Sequence, residues 1–119
     1  MNSYLASIKK QFEYYKSLGD KTFTQLSDEQ LFWQPNAQSN SVAIVFNHIA
    51  GNMLSRWTNF LTEDGEKDWR KRDQEFETIL KTRVELEAKW EEGWKCLFNA
   101  INTLDFEVRF DLWNKINEK

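Results

Sequence analysis

The spacing of the apolar residues is the feature that most constrains this fold. Apolar side chains recur at intervals of three and four residues along most of the sequence, which contains only one proline and four glycines. Such intervals place side chains on one face of an α-helix, and few residues are present that would break a helix. The sequence therefore predicts an all-α fold. Its 119 residues are typical of a single domain, so we predict one domain over residues 1–119.

Three long amphipathic helices are predicted, over about residues 2–26, 42–61 and 75–104. A short turn between the first two has the capping pair Ser27 and Gln30 and is ended by Pro35. A polar stretch of about fourteen residues precedes the third helix, long enough to run back along the second. The face of the second helix that we predict to be buried comprises Val42, Val45, Phe46, Ile49, Met53, Trp57 and Phe60.

The last fifteen residues leave two alternatives open. Apolar and charged residues alternate strictly from Asp105 to Leu112, which favours an extended segment. A lone strand would have no partner for its backbone groups, and Phe106, Phe110 and Trp113 also fit one face of a short helix. The sequence does not decide between the two.

Composition excludes several classes of protein. The 16 basic and 19 acidic residues give a net charge of −3 with the signs interspersed, so no basic face is predicted that would bind nucleic acid. No apolar run approaches the ~20 residues of a membrane span, and the N-terminus lacks the apolar core of a signal peptide. The single cysteine, Cys96, excludes an internal disulfide and predicts a cytoplasmic protein. We expect an inert thiol on the outer face of the third helix, because no base or cationic cluster lies near it in sequence.

Other charged and aromatic residues have simple structural interpretations. Arg83 and Glu87 lie four residues apart within the apolar face of the third helix, where an ion pair at the core rim is predicted, with a role in a site as the alternative. The polar loop contains Trp69, Arg70, Arg72 and Asp73 and follows Trp57. We expect Trp69 to pack over the bundle and the loop charges to be solvated or to cap helices.

His48 is the only histidine in the chain. On a helical wheel it lies away from the predicted apolar face, on a small and largely polar side with Ser41, Ile44, Gly51, Asn52 and Ser55. From the residues alone, these small and polar neighbours favour a surface histidine over a metal ligand.

The stretch "SVAIVFNHIAGNMLSRWTNFLTEDGEKDWRKRDQEF", residues 41–76, resembles the DinB-like superfamily, specifically an uncharacterised subfamily of it. The stretch "RVELEAKWEEGWKCLFNAINTL" is similar to the third helix of that family and extends the resemblance to about residue 104. The resemblance implies a four-helix bundle in which one histidine of the second helix and two histidines of an HxxxH motif on the fourth hold a divalent metal. His48 matches the first of these ligands.

This chain departs from that pattern after Leu104, where fifteen residues remain and none is a histidine. We therefore predict a DinB-like bundle with three long helices and a truncated or altered fourth segment. A catalytic zinc site needs about three protein ligands, so His48 alone predicts an incomplete metal site. Loose candidates for substitute carboxylate ligands are Glu85, Glu87, Glu91 and Asp111.

Two functions remain as hypotheses. The resemblance implies a relation to metal-dependent, thiol transferase-type enzymes, in which zinc or nickel acts on a small-molecule thiol, although whether this chain is an enzyme stays open. The alternative is a non-catalytic helical interaction or dimerisation module. We expect a homodimer, because a bundle short of one helix exposes an apolar groove that a second copy can cover.

Overall fold

The computed structural model describes residues 3–76 and 80–117, apart from the side chains of Phe76 and residues 106–112. These ranges contain four α-helices, one 3-10 turn and no strand, which confirms the all-α bundle with three long helices. The helices are α1 (Ser3–Gln25), α2 (Asp28–Phe32), α3 (Val42–Trp57) and α4 (Arg83–Asn117), and the 3-10 turn is Asp73–Phe76. None of the described helices combines the length and apolarity needed to cross a membrane.

Local side chains determine where the short helix and α3 begin. The backbone N–H of Gln30 donates to Ser27 Oγ over 3.1 Å, and the Gln30 side chain accepts from the Ser27 N–H over 2.9 Å, which confirms the predicted capping box. Ser41 caps α3 by accepting from the Ile44 N–H. α3 ends at Trp57 instead of near residue 61, just before Asn59 adopts a φ of 50°, which is incompatible with a continuing right-handed helix.

The tail is part of α4, so the helical alternative is correct. α4 begins at Arg83, not near residue 75, and continues to Asn117. The side chains of Trp113 and Ile116 are exposed. The tail therefore extends α4, and these two side chains do not contribute to the core.

Aromatic rings at the centre of the core join the three long helices. Phe23 of α1 stacks on Phe46 of α3 with ring centroids 4.3 Å apart, and Phe46 meets Trp90 of α4 edge-on at 4.6 Å. Trp90 also donates from Nε1 to Asp20 over 3.0 Å, so its polar atom is satisfied. These contacts hold α3 and α4 in the arrangement that frames the site below.

The predicted buried face of α3 is partly wrong. Phe46 and Met53 are buried as predicted, but Val42, Val45 and Ile49 are exposed. The side that the wheel assigned to small and polar surface residues is buried instead, including Ser41, Ile44, Gly51 and Ser55. At Gly51 and Ser55 the cause is the segment between α3 and α4, which packs against this side through the 3-10 turn and through a hydrogen bond from Ser55 Oγ to the Gly65 carbonyl.

Candidate functional site

A buried carboxylate lies at the centre of the candidate site. The 3-10 turn places Glu75 against α3, where its side chain is 6% exposed. Asn47 of α3 donates from Nδ2 to the Glu75 backbone carbonyl over 3.2 Å. Gly51 provides the space for the side chain, because a Cβ there would overlap the Glu75 carboxylate. The absence of a side chain at residue 51 therefore allows the acidic group to lie directly on α3.

Arg70 neutralises this carboxylate with two parallel hydrogen bonds. Its Nε donates to Glu75 Oε2 and its Nη2 to Oε1, each over 2.9 Å, and the Arg70 side chain is only 5% exposed. Bidentate pairs of this kind combine charge with fixed geometry. The expectation that the loop charges are solvated is therefore wrong for Arg70. It holds for Arg72, whose pair with Glu66 is exposed and 3.5 Å long.

The contacts of Glu75 determine its protonation state. Burial by itself would raise the pKa of the carboxyl, but the hydrogen bonds from Arg70 and His48 outweigh that effect and hold the pKa below its ordinary value. Glu75 is consequently an ionised carboxylate at neutral pH, and both of its oxygens act as acceptors.

His48 lies at the edge of this buried pair, with its side chain 32% exposed. Its Nδ1 is 3.1 Å from Glu75 Oε1. Because the ionised carboxylate only accepts hydrogen bonds, Nδ1 must carry the proton, and a neutral ring then keeps its lone pair on Nε2. Histidines that bind metals commonly donate their other ring N–H to a carboxylate in this way. The arrangement thus fits one oriented ligand position.

The described residues do not provide a complete metal site. They contain no group of three or more His, Cys, Asp or Glu side chains that could hold an ion. Three of the carboxylates considered from the sequence are engaged elsewhere: Glu85 accepts from Thr82, Glu87 pairs with Arg83 and Glu91 pairs with Lys16. The Asp111 side chain lies outside the described residues. Glu75, which could be a ligand by its chemistry, is already bound by Arg70 through both oxygens.

A cavity of about 240 Å³ lies next to Glu75, between α3, α4 and the loop. Lys89 of α4 is half-buried beside it and donates from Nζ to Asn47 Oδ1 over 2.5 Å. Burial lowers the pKa of Lys89. Trp69 also lines this cavity and is more than half exposed. It therefore covers the bundle only in part, contrary to the packing that we expected.

Cys96 is not on the solvent face of α4. It is half-buried, and its Sγ lies 3.4 Å from Thr58 Oγ1 at the end of α3. Both residues line a second pocket of about 440 Å³. The prediction of an outward-facing thiol is thus wrong, because the chain leaving α3 packs across this side of α4.

Glu75 was missed by the sequence analysis, and with it the role of Arg70. Glu75 is 27 residues from His48, inside a polar loop whose charges are expected to be solvated. The sequence contains one signal: Gly51 follows His48 by three residues, so a position without a side chain lies one helical turn from the histidine, on the same side of α3. The spacing does not identify which acidic residue occupies the space beside Gly51.

Comparison with protein families matches residues 1–116 to a family described as "Protein of unknown function (DUF1572)". No curated protein and no solved structure matched this chain. Because the family match extends over almost the whole sequence, the chain belongs to the DUF1572 family of proteins of unknown function.

Proposed function

We propose that this protein binds a divalent metal ion, with His48 Nε2 as one ligand. The observation that supports this most directly is the hydrogen bond from His48 Nδ1 to Glu75, whose carboxylate is held in turn by Arg70. In metal sites, the ligating histidine usually donates its other ring N–H to a carboxylate, which fixes the orientation of the ring. Glu75 and Arg70, both nearly fully buried, hold the ring of the part-exposed His48 in one orientation.

The resemblance of residues 41–76 to the DinB-like superfamily supports the same position, because His48 matches the first metal ligand of that pattern. On this basis the ion is zinc or nickel and the substrate is a small-molecule thiol. When bound, such an ion supplies Lewis-acid chemistry and lowers the pKa of a thiol or water. The single Cys96 is consistent with a reducing compartment such as the cytoplasm.

We propose that a second ligand comes from the same histidine of a second copy of the chain. One imidazole binds zinc weakly, and the sequence has only one histidine. Val42, Val45 and Ile49 form an exposed apolar stripe on the neighbouring face of α3. An apolar stripe without charged residues can pack against its own copy about a two-fold axis. A dimer of this kind would bring two His48 rings towards one another.

Zinc titration followed by calorimetry and sedimentation tests this proposal. We expect one zinc per two chains, with an affinity that rises as the protein concentration favours the dimer, because metal binding and association are thermodynamically linked. His48→Ala should abolish the tight site. Val45→Asp should weaken both zinc binding and dimerisation, whereas Val84→Asp, at an exposed position in the first turn of α4, is the matched control and should change neither.

Other outcomes separate this proposal from its alternative. One zinc per chain, or tight binding that persists in His48→Ala, would contradict the shared site. A dimer that forms through the α3 stripe without binding zinc or nickel would instead support a non-catalytic helical interaction module, which the exposed stripe also favours.

A further inference from the structure

The Lys89 ammonium forms no ion pair with any carboxylate of the described residues. Its ammonium is half-buried, and its hydrogen bond goes to Asn47, a neutral amide. Among residues 3–76 and 80–117, no described carboxylate lies within ion-pair distance of it. Glu75 and Glu92 are close enough to interact with it electrostatically, but neither forms an ion pair with it, and both oxygens of Glu75 already accept from Arg70. An ammonium has three N–H donors, and among the described residues that of Lys89 has only the neutral Asn47 amide as a hydrogen-bond acceptor, so it can still donate to an anion.

The cavity beside Lys89 has a mixed lining that suggests what the missing group is. Leu54, Trp69 and Leu80 provide apolar surface, while Lys71 and Lys89 provide positive charge. Arg70 and Glu75 also line it and neutralise each other. The net charge of the lining is therefore positive. Its volume of about 240 Å³ is slightly below the range of pockets for drug-sized ligands, which indicates a smaller molecule.

We infer that this cavity binds a small organic carboxylate, with the anionic group at Lys89 and an apolar body against Leu54, Trp69 and Leu80. The ligand's carboxylate supplies a counter-charge that none of the described residues places within ion-pair distance of Lys89. The apolar lining provides most of the contact area, as in small-molecule sites generally. His48 does not line this cavity, although Arg70 and Glu75, which orient its ring, do, so binding is tested on metal-free protein.

Metal-free protein titrated with phenylacetate, phenylacetamide and inorganic phosphate, followed by NMR, tests the inference. The first two probes have the same shape and differ in charge. We expect phenylacetate to bind with a Kd of about 1 mM or lower and phenylacetamide at least about tenfold more weakly, a difference of about 1.4 kcal/mol. Phosphate lacks the apolar body and should bind more weakly than phenylacetate.

Three variants test whether phenylacetate binds in this cavity. Lys89→Met keeps a long apolar side chain and should remove the preference for phenylacetate over phenylacetamide. Leu54→Trp fills the cavity, keeps Lys89 and should abolish binding. Lys95→Met, at an exposed position of the same helix, is the matched control and should bind as the unmodified protein does. Equal affinity for the two phenyl probes, phosphate binding as tight as phenylacetate, an unchanged preference in Lys89→Met or no binding of phenylacetate would each overturn the inference.

Discussion

Gly51 and Glu75 share one space on the surface of α3: a Cβ on Gly51 would lie 2.6 Å from the Glu75 carboxyl carbon. Hydrogen bonds from Arg70 and His48 hold that carboxylate in place. Arg70 donates to both of its oxygens, and His48 Nδ1 lies 3.1 Å from one of them. The carboxylate cannot move away from a new methyl group without losing these contacts. The geometry of the whole site thus depends on a glycine at residue 51.

Gly51→Ala should destabilise the fold and displace Glu75 from His48. Overpacking of this kind costs about 1–3 kcal/mol, which exceeds the gain of up to about 1 kcal/mol from the higher helix propensity of alanine. Urea unfolding gives the change in the free energy of unfolding. The control is Gly65→Ala, where the nearest atom would be Arg56 Cγ at 3.5 Å, an ordinary contact. We expect the control to change stability by no more than about 0.5 kcal/mol. Similar losses in both variants would contradict this account.

Arg70→Met should destabilise the protein far more than Arg72→Met. Removing Arg70 leaves the nearly fully buried Glu75 carboxylate without its main partner, and breaking a buried pair in this way costs about 3–5 kcal/mol. Arg72 belongs to an exposed pair with Glu66, for which about 0–1 kcal/mol is typical. Thermal or denaturant unfolding of the two variants at pH 7 measures the difference. Equal stabilities would show that Arg70 does not hold Glu75 in solution.

Glu75 should also make the fold sensitive to acid. Its pKa in the folded protein is lowered from the ordinary value of 4.5, because its hydrogen bonds to Arg70 and His48 outweigh the opposing effect of burial. A lowered pKa means that the folded state binds this proton less readily than the unfolded state does. The resulting stabilisation is therefore present above about pH 4.5 and is lost as the pH falls through the lower folded pKa.

The difference between the unmodified protein and Glu75→Gln reports this effect in the acid range, since glutamine does not titrate. The advantage of the unmodified protein in unfolding free energy should shrink as the pH falls below 4.5. An advantage that stayed constant down to about pH 3 would show that the Glu75 pKa is not lowered.

The helices and their caps could be predicted because they depend on residues close together in sequence. The capping box of Ser27 and Gln30 is decided within four residues, and it forms as predicted. The ion pair between Arg83 and Glu87 is also local, and its atoms lie 3.5 Å apart. The other partners of Arg83 are not local: its guanidinium donates to the carbonyls of Phe23 and Leu26 at the end of α1. Residues that lie more than fifty positions apart share no periodic signal.

The candidate site could be predicted only in part, for a related reason. His48 was singled out because it is the only histidine in the sequence. The Glu75 and Arg70 pair depends on how the long loop folds over α3, and loop charges have no spacing that shows whether they are buried. The same loop explains the partly wrong face of α3. A helical wheel ranks the sides of a helix by hydrophobicity and contains no information about a distant loop, which here covers Gly51 and Ser55.

Aspartate at Met53 and at Ile49 should have opposite consequences, although the sequence predicts that both residues belong to the core. Met53 is 5% exposed and packs in the central cluster, so Met53→Asp buries an unpaired charge and should cost more than about 4 kcal/mol, close to the whole stability of a domain at the low end of the usual range. Ile49 is 38% exposed, so its aspartate stays hydrated, and Ile49→Asp should cost about 1 kcal/mol or less in the monomer. Circular dichroism melts at low micromolar protein concentration, where association through the α3 stripe is weakest, make the comparison. If the Ile49→Asp monomer were unfolded, Ile49 would belong to the core, as predicted from the sequence. The exposed stripe on which the proposed dimer depends would then not exist.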